Sequence, residues 1–203
     1  MAFARKANRC DRYADVVRPQ PSDLYARPDE LVGDAVAAYG IHTVIDTCLA
    51  LIEGHEDYDL LAMPLTYLGG VAALRQLDRG DLSVRGQAHW PRTWGVRGLM
   101  HAWMPYASSG VVTALDDPHW RVRESAAKVA DRHAIAEADE ALLPMLTDAD
   151  SRVRVAAMRA VAHLGDDRHL AVLNTVASDD RAVQVARNAA VRSLRRRVST
   201  SRA

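Results

Sequence analysis

Three segments in the C-terminal half superimpose at offsets of 31 and then 30 residues, a self-similarity that restricts the fold more than any other property of the sequence. Val111, Leu142 and Val172 form one column, Val112, Leu143 and Leu173 the next, and Leu115, Leu146 and Val176 a third. The i, i+1, i+4 spacing predicts a first helix in each unit. A second helix follows in the same register, with Val122, Val153 and Val183 aligned, then Ser125, Ala156 and Ala186, then Val129, Ala160 and Ala190. Small residues in these columns permit close helix contact. Asp117, Asp148 and Ser178 align in the turn between the two helices, where their side-chain oxygens can cap helix N–H groups, and Pro118 is expected at the first helical position. A helix pair of this size cannot bury its apolar face alone, so neighbouring units must stack. The fold class predicted is all-α, a short α-solenoid.

Upstream, "RTWGVRGLMHAW" repeats the Val-Arg pair at Val96 and Arg97, 26 residues before Val122 and Arg123, and reads as a partial unit whose start signals are Pro91 and Thr93. The first half is less regular. Helices are predicted from Pro28 to Tyr39, from Ile41 to near Gly54, and over "DYDLLAMPLTYLGG", interrupted at Pro64 and closed by Gly69 and Gly70, with a short fourth over "VAALRQLDRGD". No alternating pattern between hairpin turns indicates strand. The expected division is an arm, possible disorder included, over 1–27, an irregular helical region over 28–91 capping the solenoid, helix-pair repeats over 92–197 (92–106 partial, then 107–133, 138–164 and 168–197) and a tail over 198–203.

Composition narrows the function classes. With 203 residues, 49% hydrophobic, and 26 basic against 26 acidic residues, the chain can bury a sizeable core and has no global pull toward nucleic acid or membrane. Cys10 and Cys48 form no CxxC pair, so neither a disulfide framework nor a cysteine metal site is indicated. The basic N-terminus lacks an apolar run, and no segment reaches the ~18 apolar residues of a membrane span, so a cytoplasmic, soluble protein is expected. Only Lys6 and Lys128 among the basic residues are lysine, as expected of a GC-rich coding genome.

Paired helices of about 30 residues, with Asp at the turn and Val-Arg-x-x-Ala opening the second helix, resemble HEAT repeats, most closely the short type also found in phycobilisome lyases. "DPHWRVRESAAKVADRH" and "DADSRVRVAAMRAVAHLGD" match well. "SDDRAVQVARNAAVRSLRR" departs, with Gln184 in the arginine column and Arg187 where the earlier units have alanine, as a terminal unit facing water can. The resemblance implies a curved right-handed stack that holds another macromolecule along a concave face formed by the second helices. It supplies no chemistry by itself.

Asp117, Arg123, Asp148 and Arg154 are expected to form a structural ladder between neighbouring units, since a guanidinium offers several donors to a carboxylate. Arg121 and Arg152, two positions earlier on another helical face, are left for contact with a partner. Trp90, Trp94, Trp103 and Trp120 fall within 31 residues; Trp94 and Trp103 are expected in the core, and Trp90, Trp120, Arg121, Arg152 and Arg159 at a partner-binding surface. The leading expectation is a non-catalytic adaptor for a protein partner, with no catalytic residue, cofactor or metal. A second reading is a nucleic-acid binder or, by similarity to alkylpurine DNA glycosylases built from HEAT-like repeats, a repair enzyme needing Asp116 or Asp117 with Trp120. A third, implied by the repeat subtype alone, is a lyase-like or chaperone-like factor for a chromoprotein. The eight histidines show no HxxxH or HExxH spacing, and no phosphate-binding glycine loop occurs. The six arginines from Arg187 to Arg202 could meet phosphate or an acidic partner, or simply suit a helix C-terminus.

Overall fold

The computed structural model describes residues 18–80 and 82–201, and among these every regular element is helical. The helices are α1 (Pro28–Tyr39), α2 (Ile41–Ile52), α3 (Thr66–Leu77), α4 (His89–Gly98), α5 (Ser108–Ala114), α6 (Trp120–His133), α7 (Asp139–Met145), α8 (Ser151–Leu164), α9 (Asp167–Thr175) and α10 (Arg181–Ser201). Helix α10 carries on to Ser201, through residues read as tail. No single described helix is long and apolar enough to cross a membrane.

The repeated columns become one face of each second helix. In α6 the buried residues include Val122, Ser125, Ala126, Val129 and Ala130, and in α8 Val153, Ala156, Ala157, Ala160 and Val161, the i, i+3, i+4, i+7, i+8 stripe of a half-buried helix. Because these are mostly alanine and valine, α6 packs closely against α8, and α8 against α10. Each short first helix packs on the second helix of its unit: α5 on α6, α7 on α8 and α9 on α10. The result is an all-α stack of helix pairs, an α-solenoid.

The N-terminal half continues both rows, but with the chain order interleaved. Helix α2 packs against α4 and touches α5, while α1 packs against α3, and α3 against α4. By its neighbours, α2 therefore partners α4 and α1 partners α3, so two first helices precede two second helices along the chain. Helix α2 buries one broad face, through Val44, Ile45, Cys48, Leu51 and Ile52, and exposes His42 and Asp46 on the other. Its approach to α4 requires glycine: a Cβ at Gly95 would lie 2.7 Å from the Cys48 carbonyl oxygen. Helix α3 is broken at Gly70, whose φ of 54° suits glycine, and its amide neighbour Val71 donates to Leu24 O at 2.8 Å.

Residues 18–27, grouped with the arm on sequence, are docked. Arg18 donates to Leu61 O at 2.7 Å, Tyr39 Oη donates to Pro19 O and Thr66 Oγ1 donates to Gln20 Oε1. The rest of that arm, 1–17, lies outside the described residues.

The register of the first unit differs from the sequence reading. Arg92 pairs with Asp117 and Arg123 with Asp148, each across 25 residues, so Arg92 occupies the column of Arg123. The offset from α4 to α6 is therefore 31 residues, as between α6 and α8, rather than the 26 suggested by Val96 and Arg97. Pro91 stands where later units have valine, and Trp94 where they have Ser125 and Ala156. Trp94 fills the wider gap to α3, where a Cβ at Gly69 would meet its ring at 2.8 Å.

Candidate functional site

The turns between first and second helices set the geometry of the site. Asp117 Oδ1 accepts from His119 N at 2.7 Å, Asp148 Oδ1 from Asp150 N at 2.8 Å, and Ser178 Oγ from Asp180 N at 3.2 Å. The helix N-caps are the residues two further on: His119 Nδ1 accepts from Arg121 N, Asp150 from Arg152 N and Asp180 from Ala182 N. Asp117, Asp148 and Ser178 thus hold the turn rather than the helix end, and Pro118 precedes α6 instead of opening it.

The ladder joins neighbouring units. Arg123 Nε donates to Asp148 Oδ2 at 2.7 Å and Nη2 to Oδ1 at 3.0 Å, while Nη1 donates back to Asp117 O at 2.8 Å. Arg92 makes the same two-point contact with Asp117, at 2.6 and 3.2 Å. Arg154 keeps only the carbonyl half of the pattern, donating to Asp148 O at 2.6 Å, because Ser178 stands where a third carboxylate would be. Gln184 takes the arginine's carbonyl contact in the last unit, with Nε2 donating to Ser178 O at 2.7 Å.

Four of the five residues assigned to partner contact converge. Trp90 opens α4, Trp120 and Arg121 open α6, and Arg152 opens α8. The Arg121 guanidinium lies 5.1 Å from the Trp90 ring and 4.3 Å from the Trp120 ring, and Arg152 lies 4.5 Å from Trp120. His89 and His119 stack beneath them with centroids 3.6 Å apart. Burial, followed by the neighbouring His119, Arg121 and Arg92, lowers the His89 pKa to about 4, and burial likewise lowers that of His119. Near neutral pH the pair therefore packs as uncharged rings and adds no repulsion to Arg121. Trp90 Nε1 donates to Gln87 Oε1 at 2.8 Å. Trp94 is buried, and Trp103 stacks on His133 with centroids 4.2 Å apart.

Beside this cluster a groove of about 400 Å³ runs between α4 and α6, lined by Trp90, Arg97, His101, Arg121, Glu124 and Lys128 among others. A second depression, between α6, α8 and the start of α10, shares Glu124 and Lys128 and adds Arg152, Val155 and Arg159. Arg159, the fifth assigned residue, is thus on the same face but outside the aromatic cluster. The sequence reading took Arg97 as half of a Val-Arg pair near the tryptophans without assigning it to partner contact, and did not connect Lys128 with the site. The 31-residue offset carries Arg97 to Lys128 and Lys128 to Arg159, which is the signal that identifies them.

Asp117 is committed to Arg92 and to the His119 amide, so it is not placed to serve as a general base; Asp116 is exposed. Burial pushes the Cys48 thiol up to about 12, which keeps it protonated and unreactive. Asp139, Asp166 and His169 bring ligand-type atoms within 4.8 Å of one another. Arg168 already donates to Asp139, Glu140 and Asp166, supplying the positive charge that such a group would otherwise draw from a cation. Hydrogen bonds from Arg168 and His169 hold the Asp166 carboxyl well below the ordinary carboxylate range against an opposing desolvation.

A family model described as HEAT repeats matches residues 108–195. The match reaches the family and not the lyase-like subtype. Comparison with curated proteins and with solved structures finds no match.

Proposed function

With residues 108–195 being HEAT repeats, we propose that the chain is a non-catalytic helical scaffold that binds a protein partner through the concave, open face of its second-helix row. The observation that supports this most is the Trp90, Arg121, Trp120 and Arg152 cluster, which spans the starts of three successive second helices. Tryptophan and arginine are the residue types that dominate interface energetics, and here they are held in place by one another before any partner arrives. The reading calls for no cofactor or metal. The test is affinity purification from the native cell with wild type, Trp120→Ala and Arg121→Glu, read by mass spectrometry. A partner recovered by wild type and lost from both variants is the expected result; one recovered equally by all three refutes the site.

A further inference from the structure

The open face carries charge in columns. Arg121 and Arg152 follow Trp90 at 31-residue steps, and Arg97, Lys128 and Arg159 form a second column two helical turns further along. Arg97, Lys128, Arg152 and Arg159 are exposed. Among the described residues the one acid lining both depressions is Glu124, which pairs with Lys128 Nζ at 2.7 Å, so the excess positive charge of this face is carried by Arg97, Arg121, Arg152 and Arg159. A chain with balanced net charge thus concentrates cations on one face.

We propose that this face binds an acidic, extended segment of a protein, laid across the second helices with a carboxylate at about every third residue. The inference rests on the scaffold reading above and specifies the chemistry of its partner. Packed helices lie about 8–10 Å apart, which sets the spacing between successive cations in a column. A polyproline II segment presents every third residue on the same side, at about 9 Å, and so meets the column in step. The aromatic rings favour this occupant over single-stranded nucleic acid. Base stacking needs a free ring face, and guanidiniums lie over Trp90 and Trp120. A guanidinium stacked flat on a ring keeps its in-plane N–H groups for a carboxylate.

The test uses the full chain and fluorescence anisotropy with labelled synthetic peptides: a Glu-Pro-Pro repeat, its Gln-Pro-Pro counterpart, and a peptide of the acidic composition with all glutamates at one end. An oligothymidylate serves as the nucleic-acid probe. The periodic acidic peptide is expected to bind about tenfold tighter than the other two peptides and tighter than the oligonucleotide, with Arg97→Glu and Arg159→Glu each weakening it about fivefold. Equal binding of the glutamine peptide, tighter binding of the oligonucleotide, or no effect of the charge reversals overturns the proposal. A native partner lost with Trp120→Ala but retained by Arg97→Glu and Arg159→Glu overturns it while leaving the scaffold reading intact.

Discussion

Replacing Arg123 by methionine tests whether the ladder or the apolar packing ties the units together. The substitution keeps most of the aliphatic stem but removes both N–H bonds to Asp148, whose side chain is only 10% exposed. What remains is a largely desolvated carboxylate with one backbone donor, Asp150 N. Hydrogen bonds to charged groups contribute about 1.5–3 kcal/mol, and stranding one partner of a buried pair costs at the upper end, so the expected loss is about 3 kcal/mol. Arg154→Met is the internal control, since Arg154 occupies the same column but makes only carbonyl contacts, at Asp148 O and Ala149 O; its loss should be about 1 kcal/mol. For a chain of this size the two variants should lower Tm by about 6–12 °C and about 2–4 °C. Heat and urea denaturation followed by far-ultraviolet circular dichroism measure both. A double-mutant cycle of Arg123→Met with Asp148→Asn should return a coupling of about 1.5 kcal/mol. Equal losses at Arg123 and Arg154, or a coupling near zero, would refute the reasoning.

Four further outcomes follow from the same geometry. Ser178→Asp should restore the missing rung to Arg154 and raise Tm by about 2–4 °C, a gain that Arg154→Met abolishes. Gly95→Ala places a Cβ against the Cys48 carbonyl and should cost about 3 kcal/mol in urea denaturation, whereas Gly33→Ala, with nothing within 4 Å of the added methyl, should stabilise α1 by up to about 1 kcal/mol. His89 titrates near 6.5 when unfolded and near 4 when folded, so between those values the unfolded chain takes up a proton that the native state refuses. Stability should therefore fall as pH drops through that window, by up to about 3 kcal/mol, be insensitive to this group above it, and lose that component in His89→Gln, as melting curves from pH 8 to pH 4 will show.

What could be read from the sequence followed the repeat. The columns Val122, Val153, Val183 and Ser125, Ala156, Ala186 predict the second helices because those positions recur at helical spacing on one face, and all six are buried; α1 is found at Pro28–Tyr39 as predicted. The first unit escaped because Val96 and Arg97 imitate the Val-Arg pair five residues out of step, while the true counterpart, Pro91 and Arg92, carries proline at the valine position. Proline is tolerated there since it lies in the first turn of α4, where its missing N–H has no helical acceptor to leave unpaired. The interleaving of α1 with α3 and α2 with α4 leaves no adjacent unit to align, so no period exists in that half to detect. The site was partly legible: Trp90, Trp120, Arg121 and Arg152 stood out by residue type, whereas Lys128 and the column that joins it to Arg97 and Arg159 become visible only once the 31-residue step is carried onto exposed positions.

The ladder also gives the stack a mechanical direction. A bidentate arginine–carboxylate pair fixes one separation, whereas valine and alanine surfaces can slide before they part. The boundaries crossed by Arg92–Asp117 and Arg123–Asp148 are therefore pinned at the turns that lead into the second helices, whereas the last boundary, where Ser178 replaces the carboxylate, is pinned from the other row, by Arg168 of α9 on Asp139 and Glu140 of α7. Tension applied at the C-terminus would therefore load the α8–α10 packing first, with α9 held to α7 through Arg168 until those ion pairs part.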